Sequence, residues 1–235
     1  MIEDASLFLD LDGTLLDLMD RPHEVRADAR LREILAALEI SLKGRLAIVS
    51  GRSLEQIDAI LGDVAEGLAV SGSHGCEHRW RGVYTHPDRP EALDLAAERM
   101  RLFVGDRPGI IVEEKSFGVA LHYRMNPEFE GAATALAEEL ATEFNLHFQR
   151  GKMVVELRFG GSDKGAAVQH MMKRPPMQGA RPIFVGDDVT DEPAFTMSRA
   201  LGGHGVLVGA PRPTAADYAI PSPAALRDWL AEAAQ

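Results

Sequence analysis

Apolar positions along this chain fall into short solid runs separated by stretches of helical spacing. Residues 7–17 read LFLDLDGTLLD, and the apolar part is dense enough for a strand covered on both faces, ending at Asp10. Leu31, Ile34, Leu35, Leu38 and Leu42 recur every three or four residues and predict a helix over 27–42. The run LAIVS then ends at Ser50, a second helical pattern carries Leu54, Ile57, Ile60 and Leu61, and GLAVSGSHG reads as a third short strand. Strands alternating with helices predict a parallel sheet with helices on both faces.

The rhythm changes at about residue 88. A helical stretch to Val104 precedes GIIVEEK and GVALHYR; a helix over 127–144 precedes LHFQR and MVVELRF. Helix, two strands, helix, two strands describes a small antiparallel α+β unit. The parallel rhythm returns with a helix over 163–172, the strand PIFVGDD, a helix after Asp191, GVLVG, YAI and a closing helix near Leu226. The expected fold class is therefore α/β: a Rossmann-like parallel-sheet core, residues 1–87 and 161–235, interrupted by a smaller α+β domain over 88–160.

Composition narrows the partners. A formal charge of -11 speaks against nucleic acid or an anionic membrane as the main partner, because both require positive surface. The single cysteine, Cys76, excludes an internal disulfide and suits a reducing cytoplasm; with no evident base or cation beside it, it reads as an inert thiol. The start MIEDAS carries acids where a signal peptide carries bases, and no apolar run reaches membrane-spanning length. The expectation is a cytoplasmic protein with a small-molecule partner. Oligomeric state is not legible, and a monomer is the default.

In an open parallel sheet, ligands bind beyond the carboxyl ends of the strands. Here those ends carry Asp10 and Asp12, then Ser50 and Gly51, then Gly186, Asp187 and Asp188. Two carboxylates closing a buried strand repel each other and lose hydration, so a cation is expected beside them. Lys164 opens the helix that re-enters the core, where the helix dipole also favours a bound anion. Carboxylates, a hydroxyl, a lysine and helix ends describe a phosphate site with a hard, oxygen-bound metal such as Mg2+.

These residues resemble the haloacid dehalogenase superfamily, whose four signatures occur in order: DLDGT at 10–14, the serine of VSGR at 49–52, the lysine of DKG at 163–165 and GDDVTDE at 186–192. SGSHG, EEKSFGVALHYR, GKMVVELR and GDDVTDEPAF further resemble the trehalose-6-phosphate phosphatase family. That resemblance implies a mobile cap domain inserted after the second motif, and magnesium-dependent hydrolysis of trehalose 6-phosphate through an aspartyl phosphate. It makes Asp10 the nucleophile, Asp12 the acid and base, and Ser50, Gly51 and Lys164 the phosphate binders. The metal would be held by Asp10, the backbone carbonyl of Asp12 and Asp187, with Asp188 and Asp191 in support. Glu113, Lys115, Arg124, Lys152 and Glu156, all on expected strands of the small domain, would bind the sugar. Similar enzymes often carry proline where Phe159 stands, which leaves the loop before Lys164 open.

Plainer readings compete at each position. Asp10 alone reads as a turn residue, Ser50 as a helix cap, and charges on an antiparallel sheet as a solvated face. His74 and His122 lack partner spacing and read as hydrogen-bonded structural residues rather than metal ligands. Two other functions remain on the table. One is a phosphatase for a different sugar phosphate, such as sucrose or glucosylglycerol phosphate. The other is a receiver-type phospho-aspartate module, against which stand Asp12 and the inserted domain.

Overall fold

The first strand, β1 (Ala5–Leu9), is buried along its whole length. Its side chains alternate between two apolar layers, Leu7 and Leu9 on one face and Phe8 on the other. This computed structural model describes residues 4–18, 25–151, 153–160 and 163–234. The chain divides into two compact units, Met1–His86 with Ser162–Gln235, and Pro87–Gly161.

In the larger unit eight strands form one sheet. Their order is β12 (Tyr218–Ile220), β11 (His204–Val208), β10 (Arg181–Gly186), β1, β2 (Leu46–Val49), β3 (Ala69–Gly72), β4 (Glu77–Trp80) and β5 (Val83–Thr85). The five pairings among β12, β11, β10, β1, β2 and β3 are all parallel, whereas β4 and β5 run antiparallel at one edge. One face carries α1 (Ala29–Ser41), α2 (Leu54–Leu61), the short α3 (Val64–Gly67) and, at its far end, α8 (Pro223–Ala233). The other face carries α6 (Lys164–Met172) and α7 (Glu192–Ala200). Helix starts are capped by their own sequence: Asp28 accepts from Leu31 N, Ser53 and Gln56 close a capping box, and Ser222 accepts from Ala225 N.

The β4–β5 hairpin escaped the sequence pattern. Glu77–Trp80 reads EHRW, which shows no apolar alternation. The turn is Arg81-Gly82, with φ of 49° and 76°, a conformation more often announced by Asn-Gly.

The smaller unit is a four-stranded antiparallel sheet ordered β6 (Ile111–Lys115), β7 (Gly118–His122), β9 (Val154–Arg158) and β8 (His147–Gly151). Val119, Leu121, Val155 and Leu157 are buried against α4 (Glu91–Val104) and α5 (Glu130–Phe144). The opposite face carries the alternate residues, Glu113, Lys115, His122, Glu156 and Arg158 among them. Arg124 departs from expectation: the strand stops at His122, and Arg124 lies exposed in the turn that follows. That turn is closed by Asn126 N donating to Tyr123 O, one residue before Pro127, so the backbone has already left the sheet. Lys152 lies outside the described residues.

Candidate active site

Three adjacent strands, β10, β1 and β2, bring their carboxyl ends side by side. Asp10 follows β1 directly and is 4% exposed, with its backbone N–H donating to Val185 O on β10. Lys164, the first residue of α6, donates from Nζ to Asp10 Oδ1 at 2.7 Å and to Asp191 Oδ1 at 2.6 Å. The other Asp191 oxygen accepts from the backbone N–H groups of Asp187 and Asp188 at 2.9 and 3.0 Å. One buried carboxylate thus aims the lysine and shapes the loop after β10. Thr14 hydroxyl lies 3.1 Å from both Asp10 Oδ2 and Asp187 Oδ1, joining the two loops. Gly13 permits this approach: at φ +78° it has no side chain, and a β-carbon there would stand 2.1 Å from Asp187 Oδ2.

Oxygens of Asp10, Asp187 and Asp191 all lie within 4.8 Å of one another. One lysine among three carboxylates leaves an excess of negative charge in a poorly hydrated place. Burial pushes the Asp10 carboxyl up to about 8; Lys164 opposes that shift, while Asp191 and Asp187 add to it. Asp187 is raised by burial and by Asp191, against the pull of Thr14. Burial works to lower Lys164, but Asp10 and Asp191 outweigh it and hold the ammonium above its ordinary range. A hard divalent cation fits such a cluster, since it takes carboxylate oxygens and relieves their repulsion.

Asp12 faces a different neighbour. Arg52 grips it bidentately, Nε to Oδ2 at 2.6 Å and Nη2 to Oδ1 at 2.7 Å. Nothing in the sequence pattern pointed to Arg52, although its place two residues after Ser50 puts it at the same sheet edge. Ser50 is buried and its hydroxyl accepts from Arg52 N at 3.2 Å. The cap of α2 is Ser53, so Ser50 does not serve as that helix's cap. The His74 ring packs on Gly51, 2.5 Å from where a β-carbon would stand.

In the smaller unit, Lys115 Nζ lies 3.0 Å from Glu156 Oε2, and Glu113 Oε2 lies 2.8 Å from His122 Nε2. Register places Ala120 between Glu113 and Glu156, and Gly118 between Lys115 and Arg158. Small residues on the middle strand let charged side chains from both flanking strands meet above it.

An aspartate-tipped parallel sheet, with a lysine-led helix and a second acidic loop beside it, is the architecture of haloacid dehalogenase-type phosphatases. A phosphatase of that superfamily from Bacteroides thetaiotaomicron superposes with a TM-score of 0.65 at 16% identity, a likeness of fold. The chain belongs to the trehalose-phosphatase family, whose profile matches residues 8–224, and with it to the phosphoric monoester hydrolases. A probable trehalose-phosphate phosphatase of Sinorhizobium fredii is 36% identical over 240 residues, 98% of this chain and 88% of that protein. The trehalose-6-phosphate phosphatase of Escherichia coli is 35% identical over 206 residues, 86% of this chain and 76% of that protein. The crystal structure of a trehalose-6-phosphate phosphatase related protein has a TM-score of 0.78 at 28% identity, covering 97% of this chain and 96% of the other. No helix among the described residues is long and apolar enough to cross a membrane.

Proposed function

We propose that this chain hydrolyses trehalose 6-phosphate to trehalose and phosphate through a phosphorylated Asp10. The observation that carries the reading is Asp10 itself, buried at the end of a central strand and bonded to Lys164, with Asp187 and Asp191 close by. A carboxylate Oδ of Asp10 attacks phosphorus, the bond from phosphorus to the sugar oxygen breaks, and Asp12 gives that oxygen a proton. A water then attacks the acyl phosphate and passes its proton to Asp12. Phosphate leaves, and both aspartates return to their starting state.

Arg52 adds a condition. It occupies both oxygens of Asp12, so this ion pair has to open and Asp12 has to take up a proton from solvent before it delivers one to the sugar oxygen. The proton that Asp12 takes from the attacking water passes to solvent when the pair with Arg52 re-forms. Lys164 and the backbone N–H of Gly51 are suited to the phosphoryl oxygens, and Ser50 Oγ to a further hydrogen bond.

Asp10 and Asp187, with the carbonyl of Asp12, are the proposed holders of Mg2+; Asp191 and Asp188 brace that loop. Bound there, the ion would keep Asp10 ionised and draw charge from the phosphate. Sugar recognition is assigned to Glu113, Lys115 and Glu156, whose polar ends suit hydroxyl groups; Arg124 and Lys152 are the further candidates. The smaller unit is in this reading the cap, and the larger one the catalytic core.

The test is phosphate release from a panel of sugar phosphates, with magnesium or EDTA. Preference for trehalose 6-phosphate with full magnesium dependence is the expected result. Preference for sucrose or glucosylglycerol phosphate would move the assignment to another substrate, and release that stops at one equivalent would point to a receiver.

A further inference from the structure

In the larger unit, the β4–β5 hairpin and the end of α6 line a cleft of about 290 Å³. Its charged lining runs against the composition of the chain. Arg79, Arg81 and Arg174 line it together with His78 and His170, and no aspartate or glutamate does, although acids outnumber Lys and Arg by 36 to 25 overall.

The three arginines are not equivalent. Arg79 is committed to Asp58, with two bonds of 2.5 and 2.6 Å, and to Ala65 O. Among the described residues, neither the Arg81 nor the Arg174 guanidinium has a hydrogen-bonding partner, and both residues are exposed at the rim. Arg174 lies just past the end of α6, where a cation also complements the helix dipole. That account does not cover Arg81, which comes from the tip of the hairpin. Arg81 also feels the Glu39 carboxylate, whose oxygen lies beside Gly44 as Arg81 Nη2 does, whereas Arg174 is free of such a neighbour among the described ion pairs. Guanidinium groups from separate elements thus line one cavity, and guanidinium is the side chain best shaped for phosphate.

The remaining lining suits the organic part of a ligand. Trp80, Val83 and Met171 supply apolar wall. The Trp80 indole N–H is buried without a hydrogen-bond partner, a donor left for something the protein does not itself provide. His78 and His170 stack at 4.8 Å, 10° from parallel. Burial, then His170 and Arg174, hold His78 down at about 4, so the pair stays neutral in a positive setting. The volume lies near the lower end of small-molecule sites, ~300–1,000 Å³.

We propose that this cleft is a second anion-binding site, taking a small phosphate ester between Arg81 and Arg174 with its carbon skeleton against Trp80. None of its lining residues belongs to the catalytic cluster. It does adjoin the catalytic helix: α6 begins at Lys164 and ends at the cleft, nine residues or about 13 Å away.

The chain has two tryptophans, so Trp229→Phe leaves Trp80 as the one indole reporter. Glucose 6-phosphate is titrated into this variant with EDTA present, at constant ionic strength, with glucose as the uncharged control. The expected result is a saturable change in Trp80 emission with the phosphate ester and none with glucose. Arg174→Gln and Arg81→Asn, the latter chosen because Asn tolerates the left-handed backbone at φ 49°, should each raise the midpoint about tenfold or more. Thermal melts of both variants establish that they fold. No saturable change overturns the proposal. So does a midpoint unmoved by both arginine substitutions, and so does a signal that vanishes in Asp10→Asn, which would belong to the catalytic site.

Discussion

The two units handle charge in opposite ways. Around Asp10 three carboxylates share one lysine, and Asp10, Asp191 and Lys164 are nearly or wholly removed from water. On the open face of the smaller sheet polar groups meet in pairs, Lys115 with Glu156 and Glu113 with His122, and each of these groups keeps some contact with solvent. A buried imbalance is costly unless a further cation or anion completes it, so such an arrangement signals chemistry. A balanced, solvated pair costs the fold little and can exchange its partner for a ligand's hydroxyl groups at small expense. In the proposed reading the first pattern is the reaction centre and the second the surface that recognises the sugar.

The sharpest way to break this contrast is to substitute within the imbalance. Asp10→Asn should remove turnover, by at least about 10⁴-fold in kcat, without lowering the thermal midpoint, because it relieves repulsion while keeping shape. Wild-type-like phosphate release from that variant would end the covalent reading. Lys164→Ala should do damage of both kinds. It leaves Asp10 and Asp191 buried without their cation, and urea unfolding should show a loss of about 3–5 kcal/mol together with lost activity. A stable, inactive protein would mean that water reaches the cluster.

On the recognition side, single alanine substitutions of Glu113, Lys115 and Glu156 should each lower kcat/KM for trehalose 6-phosphate by about 10- to 100-fold. Hydrolysis of p-nitrophenyl phosphate, which has no sugar to hold, should barely change. The thermal midpoint should change little, since partly solvated ion pairs contribute about 1 kcal/mol. Equal losses on both substrates would make these residues part of the fold rather than of recognition.

The smallest effect is a slope. Asp10 rises from 3.8 to about 8 on folding and Asp187 rises too, so the metal-free native state binds protons that the unfolded chain has released. Stability from these groups is therefore lost as pH climbs towards about 8. His78 acts with the opposite sign, lowered from 6.5 to about 4, so its effect is confined to acid and leaves pH 6.5 to 8 to the carboxylates. With EDTA the melting temperature should fall across that interval, and magnesium should flatten the trend. A flat EDTA profile would mean that Lys164 alone balances the cluster.

Much of this contrast was legible before folding. Asp10, Ser50 and Asp187 stood out because each follows an apolar run, and a parallel sheet sends the ends of its strands to one edge. Glu113, Lys115 and Glu156 stood out only through the family resemblance, since the bare pattern of charges on IVEEK and VVELR reads equally as a solvated face. Arg52 carried no such mark, since a lone arginine in a turn has many possible partners and Asp12 lies 40 residues away. Asp191 was legible as a member of an acidic loop, but not as the residue that bonds Lys164 with one oxygen and two backbone N–H groups with the other. The β4–β5 hairpin was silent because its strands are polar and short, and the cleft beside it was silent with it.

Periodicity and capping are local, so the order of strands and helices apart from the β4–β5 hairpin and the short α3, the interruption of the parallel rhythm near residue 88 and the set of strand-end acids followed from the chain alone. Pairing across distance is not local. Lys164 meets Asp10 across 154 positions, and Arg81 shares a cleft with Arg174, because sheet order and helix packing carry them there. Which charges are buried together, and hence which carboxyl groups are pushed out of their ordinary range, depends on that packing. Desolvation and Coulomb energy act through space, and only the folded chain sets those distances.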